Sequence, residues 1–288
     1  MFGNKKNNQD LAVRQEIEEA LREDPQQLEK DAGPLGRAFI GAVDKAVQMQ
    51  TSTIRTYVNW LRRQNPEATP AEIQKLMDEH LKNTVTGTGA GVGAAAAVPG
   101  IGLFTGAAAV AGESVLFLDL AAFYAVASAY LRGEDIEDPE RRRALVLSLL
   151  MGAKGLAIVD AMLGDDAGKI PGKSTLAKFS GPTLSNTNNV LQRIAMRSMR
   201  KSQRRAWLGK LMPLGIGAVA GTTANRKLAD GVIGNIQSGL GAVPAGFATP
   251  LPDKDTDEDG KGLSLNQKDF AAWILRQFKD EDKDGDNN

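Results

Sequence analysis

Residues 83–131, NTVTGTGAGVGAAAAVPGIGLFTGAAAVAGESVLFLDLAAFYAVASAYL, decide the fold. From Asn83 to Gly112 the run carries no charged side chain, and its glycines recur four apart as Gly87/Gly91, Gly89/Gly93 and Gly102/Gly106. Small residues at that spacing share one helical face and let two backbones approach closely. Pro99-Gly100 interrupts the run, since proline removes a helix amide and clashes with the preceding turn. The stretch predicts two tightly packed helices joined at that break, the second continuing through Leu131. Its length also suits a membrane span. Few of its residues are large and apolar, however, and at about −0.3 to −0.6 kcal/mol each they leave a lone inserted helix marginal.

Working outward, Ile40, Val43, Val47, Ile54, Val58 and Leu61 recur at three-, four- and seven-residue steps, which predicts one long amphipathic helix over 34–64, closed by Asn65-Pro66. Thr69-Pro70-Ala71-Glu72 is a capping box with proline at the first helical position, so a second helix opens there and runs to about Asn83. Asp138-Pro139-Glu140 starts another in the same manner, predicted to reach about Leu163. A Gly/Pro/Ser/Asn-rich connection over 164–187 precedes a basic helix at about 188–210 and two short Gly-spaced helices with Gly217 and Gly221 four apart. No segment alternates as a strand does. The expected fold class is all-α: a compact multi-helix bundle with a Gly/Ala-rich central helical hairpin. A charged, partly helical extension (1–33) precedes the helical domain (34–247), and a linker with a disordered acidic tail (248–288) carries one short amphipathic helix.

Composition agrees. Of 288 residues, 42% are hydrophobic but only 5% aromatic, which suits close helix packing better than a β-sandwich. With no cysteine there is no disulfide, thiolate nucleophile or Cys-based zinc site. The opening MFGNKKNNQD is polar and lacks the apolar core of a secretory signal, so a cytoplasmic location is expected.

Several chemical motifs fail on context. Residues 167–174, AGKIPGKS, satisfy a relaxed phosphate-loop pattern, but such a loop follows a strand, whereas LAIVDAML before it reads as helix. The spacing Gly89-Ala90-Gly91-Val92-Gly93 imitates a dinucleotide fingerprint, again without a strand. His80 is the only histidine and reads as an ordinary helix-end residue, without the partners of a His-rich metal site. Glu113 and Asp119 sit in an apolar stretch and require partners, expected among Arg141–Arg143 or on the basic helix. Asp255, Asp257, Asp259 and Gly260 stand at positions 1, 3, 5 and 6 of a calcium loop. Asn266 replaces the bidentate Glu of position 12, so a solubilising tail is the better reading and no metal or other cofactor is expected.

Net charge is zero, but it is segregated: Ala167 to Ala229 contains no Asp or Glu, and the chain beyond Pro252 is acidic. Within the basic stretch Arg193, Arg197, Arg200, Lys201, Arg204 and Arg205 follow three- and four-residue steps and form one helical stripe. Three partners suit it: anionic lipid at about 1 kcal/mol per basic residue, nucleic acid, or the chain's own acidic tail. Nucleic-acid binding lacks interleaved aromatics, Trp207 excepted.

TGAGVGAAAAVPGIGLFTG, the apolar helix with Glu113 and Asp119, EDPERRRALVLSLLMG and LGKLMPLGIGAVAGTTANR, in that order over about 40–247, resemble the EcsC family of bacterial proteins. The resemblance implies a helical protein named from an operon that also encodes an ABC transporter, with no established reaction or cofactor and no catalytic residue to carry over. Together these readings lead to a non-catalytic, membrane-associated accessory protein at the cytoplasmic face, binding anionic lipid or a membrane partner. The alternatives are a soluble scaffold or nucleic-acid binder using residues 188–210 and, behind both, a phosphate-handling enzyme.

Overall fold

The segment DLAAFYAVASA has apolar or small residues on every side of a helix, so it must be surrounded. The computed structural model describes residues 3–96, 102–163, 183–209 and 220–252, with side chains at 11–33, 36–86, 117–162, 184–200 and 226–252. In it, every residue from Asp119 to Ala129 is buried. These residues belong to the fifth of nine helices among the described residues, which include no strand. In chain order they are α1 (Gly3–Arg22), α2 (Pro25–Gln48), α3 (Thr51–Gln64), α4 (Pro70–Ala96), α5 (Gly102–Leu131), α6 (Pro139–Leu150), α7 (Ala153–Leu163), α8 (Thr183–Gly209) and α9 (Ala220–Leu240). Helices α2, α3, α4, α6 and α9 pack around α5, while α8 lies against α2, α6 and α7. The all-α bundle is as the sequence predicts.

The two helices expected around Pro99-Gly100 are present as α4 and α5, and they pack against each other. Pro99 and Gly100 lie outside the described residues. So do the surroundings of Gly87, Gly89, Gly91, Gly93, Gly102 and Gly106, all of which fall within the two helices. One close approach that is described involves a different glycine. A Cβ on Gly239 of α9 would sit 2.4 Å from Leu149 Cδ2 and 3.3 Å from Leu156 Cδ1, so where α9 crosses the α6–α7 joint a side chain would have to displace the ends of these leucines. No helix among the described residues is long and apolar enough to cross a membrane.

Three boundaries correct the sequence reading. The helix opened by the Thr69 box does not stop near Asn83 but runs on to Ala96, because Thr84, Val85 and the residues after them contain no breaker strong enough to end it. The box itself forms as expected, with Thr69 N donating to Glu72 Oε2 at 2.8 Å and Glu72 N to Thr69 Oγ1 at 3.3 Å. The helix predicted over 34–64 is two, α2 and α3, parted at Met49-Gln50, where both ψ angles are 133°. The buried guanidinium of Arg142 supplies the reason. Its Nη1 donates to the carbonyls of Val47 (2.8 Å) and Met49 (2.6 Å), and its Nε to that of Ile136 (2.9 Å), so α2 ends on a cation fixed to α6. The helix predicted from Asp138 to Leu163 likewise divides into α6 and α7, at Gly152, whose φ of 62° is left-handed. The predicted core stripe nevertheless holds on both sides of the first break, with Val43, Ile54, Val58 and Leu61 buried.

Helix α1, within the N-terminal extension, packs on the bundle. Ile17 and Ala20 of α1 join the main core cluster, and α1 packs along α7 and α8. After α9 the chain runs without helix or strand over α3 and the α5–α6 turn. Arg62 covers the Phe247 ring at 4.0 Å and donates to the Thr249 carbonyl at 2.9 Å, and Arg63 donates to that of Pro252 at 3.0 Å. The acidic tail from Asp253 onward, with Asp255, Asp257 and Asp259, lies outside the described residues.

Candidate anion-binding face and its internal cover

Helix α8 places Leu184, Leu191, Ile194 and Ala195 in the core, which leaves Arg193, Arg197 and Arg200 on an adjoining strip at the predicted three- and four-residue steps. The sequence reading left this strip three partners, anionic lipid, nucleic acid or the acidic tail. In the structure Arg197 is buried, and Arg193 and Arg200 are half-buried. Lys201, Arg204 and Arg205 lie on the same helix, and their side chains fall outside the described residues.

What covers the strip is the N-terminal segment. Glu16, Glu19 and Glu23 also recur at three- and four-residue steps, and Glu19 and Glu23 meet Arg197 and Arg200. Lys154 Nζ of α7 meets Glu16 Oε1 at 2.6 Å and Ser198 Oγ at 3.1 Å. Arg197 pairs with Glu19 at 2.8 Å and with Glu23 at 3.1 Å, and Arg200 pairs with Glu23 at 3.2 Å and Asp31 at 3.4 Å. Arg193 works differently: its Nη1 donates to the carbonyls of Ala20 and Leu21 at 3.4 Å and of Glu23 at 2.7 Å, satisfying the negative end of α1. Guanidinium groups bind carboxylate and phosphate oxygens by the same donor geometry, so this strip is chemically an oxyanion-binding face.

The apolar hold on α1 is small. Of its described side chains only Ile17 and Ala20 are buried, worth about 2–4 kcal/mol together, while Leu11 and Leu21 are 56% and 52% exposed. The ion pairs are uneven as well, since Glu19 is 62% exposed and solvent screens its share.

The other sequence-selected groups have structural partners. Asp119 pairs with Lys45 of α2 at 3.3 Å. Arg141 takes Glu134 and Arg143 takes Asp44, which leaves Arg142 for the helix end described above. His80 is not at a helix end, because α4 continues past it. It is buried between Tyr57 and Trp60, with Tyr57 Oη 3.2 Å from Nδ1, and burial pushes its pKa down to about 4.

A buried polar network joins α4, α5 and α9. Tyr124 Oη donates to Asp78, Gln237 Nε2 donates to Asp78 Oδ2 at 2.8 Å, and Gln74 Nε2 donates to Tyr124 Oη at 2.9 Å. Arg132 Nη1 closes the set on Gln74 Oε1 at 2.6 Å. Burial first, then the hydrogen bond to Asp78, raises the Tyr124 pKa, so its hydroxyl stays a donor. A cleft of 490 Å³ at the α3–α4 turn is lined by Asn65, Glu67, Glu72, Lys75, Leu76 and Glu79 among others, and by none of these network residues. Among the described residues no group of three or more His, Cys, Asp or Glu side chains is placed to hold a metal ion.

Sequence reasoning missed Glu16, Glu19, Glu23 and Lys154. The signal for the first three was present as a recurrence at three- and four-residue steps, but a charged helix reads as solvated until its partner is known. No protein-family model, no curated protein and no solved structure matches the chain.

Proposed function

We propose that the protein is a non-catalytic, membrane-peripheral accessory protein of the EcsC-like type, using α8 to bind the phosphate oxygens of anionic lipid at the cytoplasmic face. One observation carries the reading: three arginines on one strip of α8, with Lys154 beside them, already engage oxyanions and backbone oxygens at 2.6–3.4 Å. In sequence the strip continues as Lys201, Arg204 and Arg205 within a stretch free of acidic residues. Each basic residue near an anionic surface contributes about 1 kcal/mol, so such a strip suffices for peripheral attachment without a spanning helix.

The test is co-sedimentation of the full chain with vesicles of equal parts phosphatidylglycerol and phosphatidylcholine, against phosphatidylcholine alone. Binding to the anionic vesicles that weakens as salt rises is the expected result. Equal affinity for both vesicle types, or none for either at low salt, refutes the reading.

A further inference from the structure

We propose that α1 with Glu23 is a displaceable internal ligand of the α7–α8 oxyanion face, and that an anionic phospholipid surface is what competes with it. The inference rests on the lipid reading of α8 and adds its regulation. Four cations, Lys154, Arg193, Arg197 and Arg200, are occupied by one continuous segment, through Glu16, Glu19, Glu23 and the carbonyls that end α1. If that segment leaves, Asp31 of α2 is the one acidic partner named above that remains, opposite Arg200.

The segment is built to leave. Among its described side chains only Ile17 and Ala20 are buried, with Val13 packed against the core beside them, whereas α5 buries an unbroken run from Asp119 to Ala129. Its polar hold is made of ion pairs and bonds to its carbonyls, and an anionic surface offers the same cations the same kind of acceptor at much higher local density. Covered and open states are then two alternatives for one set of donors, and lipid shifts the balance by binding only the open one.

Two experiments on the full chain test this. In the first, the variant Glu16→Gln/Glu19→Gln/Glu23→Gln, which keeps helix propensity while removing the competing charge, binds phosphatidylglycerol/phosphatidylcholine vesicles about tenfold more tightly than the wild type. Adding Arg193→Gln/Arg197→Gln/Arg200→Gln removes that gain. In the second, Ala20→Cys places the only thiol of the chain under the cover, as the wild-type sequence has none. Phosphatidylglycerol vesicles then speed its labelling by a maleimide, and phosphatidylcholine vesicles do not. Equal vesicle affinity of the wild type and the glutamine variant overturns the cover and leaves lipid binding standing, whereas no binding by either removes both proposals. Inorganic phosphate that speeds labelling as much as the anionic vesicles do overturns the membrane as the competing ligand.

Discussion

Helices α1 and α5 are held by opposite means. From Asp119 to Ala129, α5 is buried on every side, and the Asp119 carboxylate within that run is neutralised by Lys45. Among its described side chains α1 buries two, and it meets α7 and α8 through carboxylates, one of them 62% exposed. Burial is non-directional and is not screened by salt, while partly exposed ion pairs are screened and individually weak. One chain thus has a centre held by burial and an N-terminal segment held largely by ion pairs, whose attachment is expected to weaken as salt rises.

Substitutions and conditions that strike the centre should cost far more than those that strike α1. The largest effect is expected from Arg142→Ala, which strips the buried cation from the end of α2 and leaves several carbonyls without a donor. Equilibrium urea unfolding should show a loss of about 3–5 kcal/mol, and a loss below about 1 kcal/mol would mean that the α2–α3 joint does not need it.

Acid should come next. Folding holds His80 down at about 4 against an ordinary value of 6.5, so between those pH values the unfolded chain binds the proton and the folded chain does not. Stability is therefore full above about 6.5 and falls as pH drops towards 4, by about 3 kcal/mol from this group. His80→Gln should flatten that part of the pH profile, and an unchanged slope would remove His80 as its source. Tyr124→Phe is smaller, at about 1–2 kcal/mol, because Asp78 keeps its bond from Gln237. The smallest global change, under about 1 kcal/mol, belongs to Glu19→Gln. Its signature is local: amide exchange should quicken around Ile17 and Ala20 while α5 stays protected, and added salt should do the same to the wild type. Uniform exchange across both helices would erase the contrast between them.

Much of the bundle was legible along the chain because helix caps and apolar periodicity are local signals. The Thr69 and Asp138 starts appear where their side chains predict, and so do α5 through Leu131 and the basic helix, which extends to Thr183 at its N-terminal side. Helix ends were less legible. The α2–α3 break is set by Arg142, more than ninety residues away in sequence, and the α6–α7 break by Gly152, an isolated glycine that a helix can also tolerate. The candidate site was half legible, since the spacing of Arg193, Arg197 and Arg200 was plain and their neighbours were not.

By itself, then, the sequence determined an all-helical chain with a helix buried on all sides, a cysteine-free chemistry and a basic strip along one late helix. Each of these follows from residue type and spacing over a few turns. Only the tertiary structure decided that the strip is met by Glu19 and Glu23 from the other end of the chain, that Asp119 pairs with Lys45, and that Arg142 ends α2. Those outcomes depend on which helices become neighbours, and a charge carries no record of its partner until the backbone brings the two within about 4 Å.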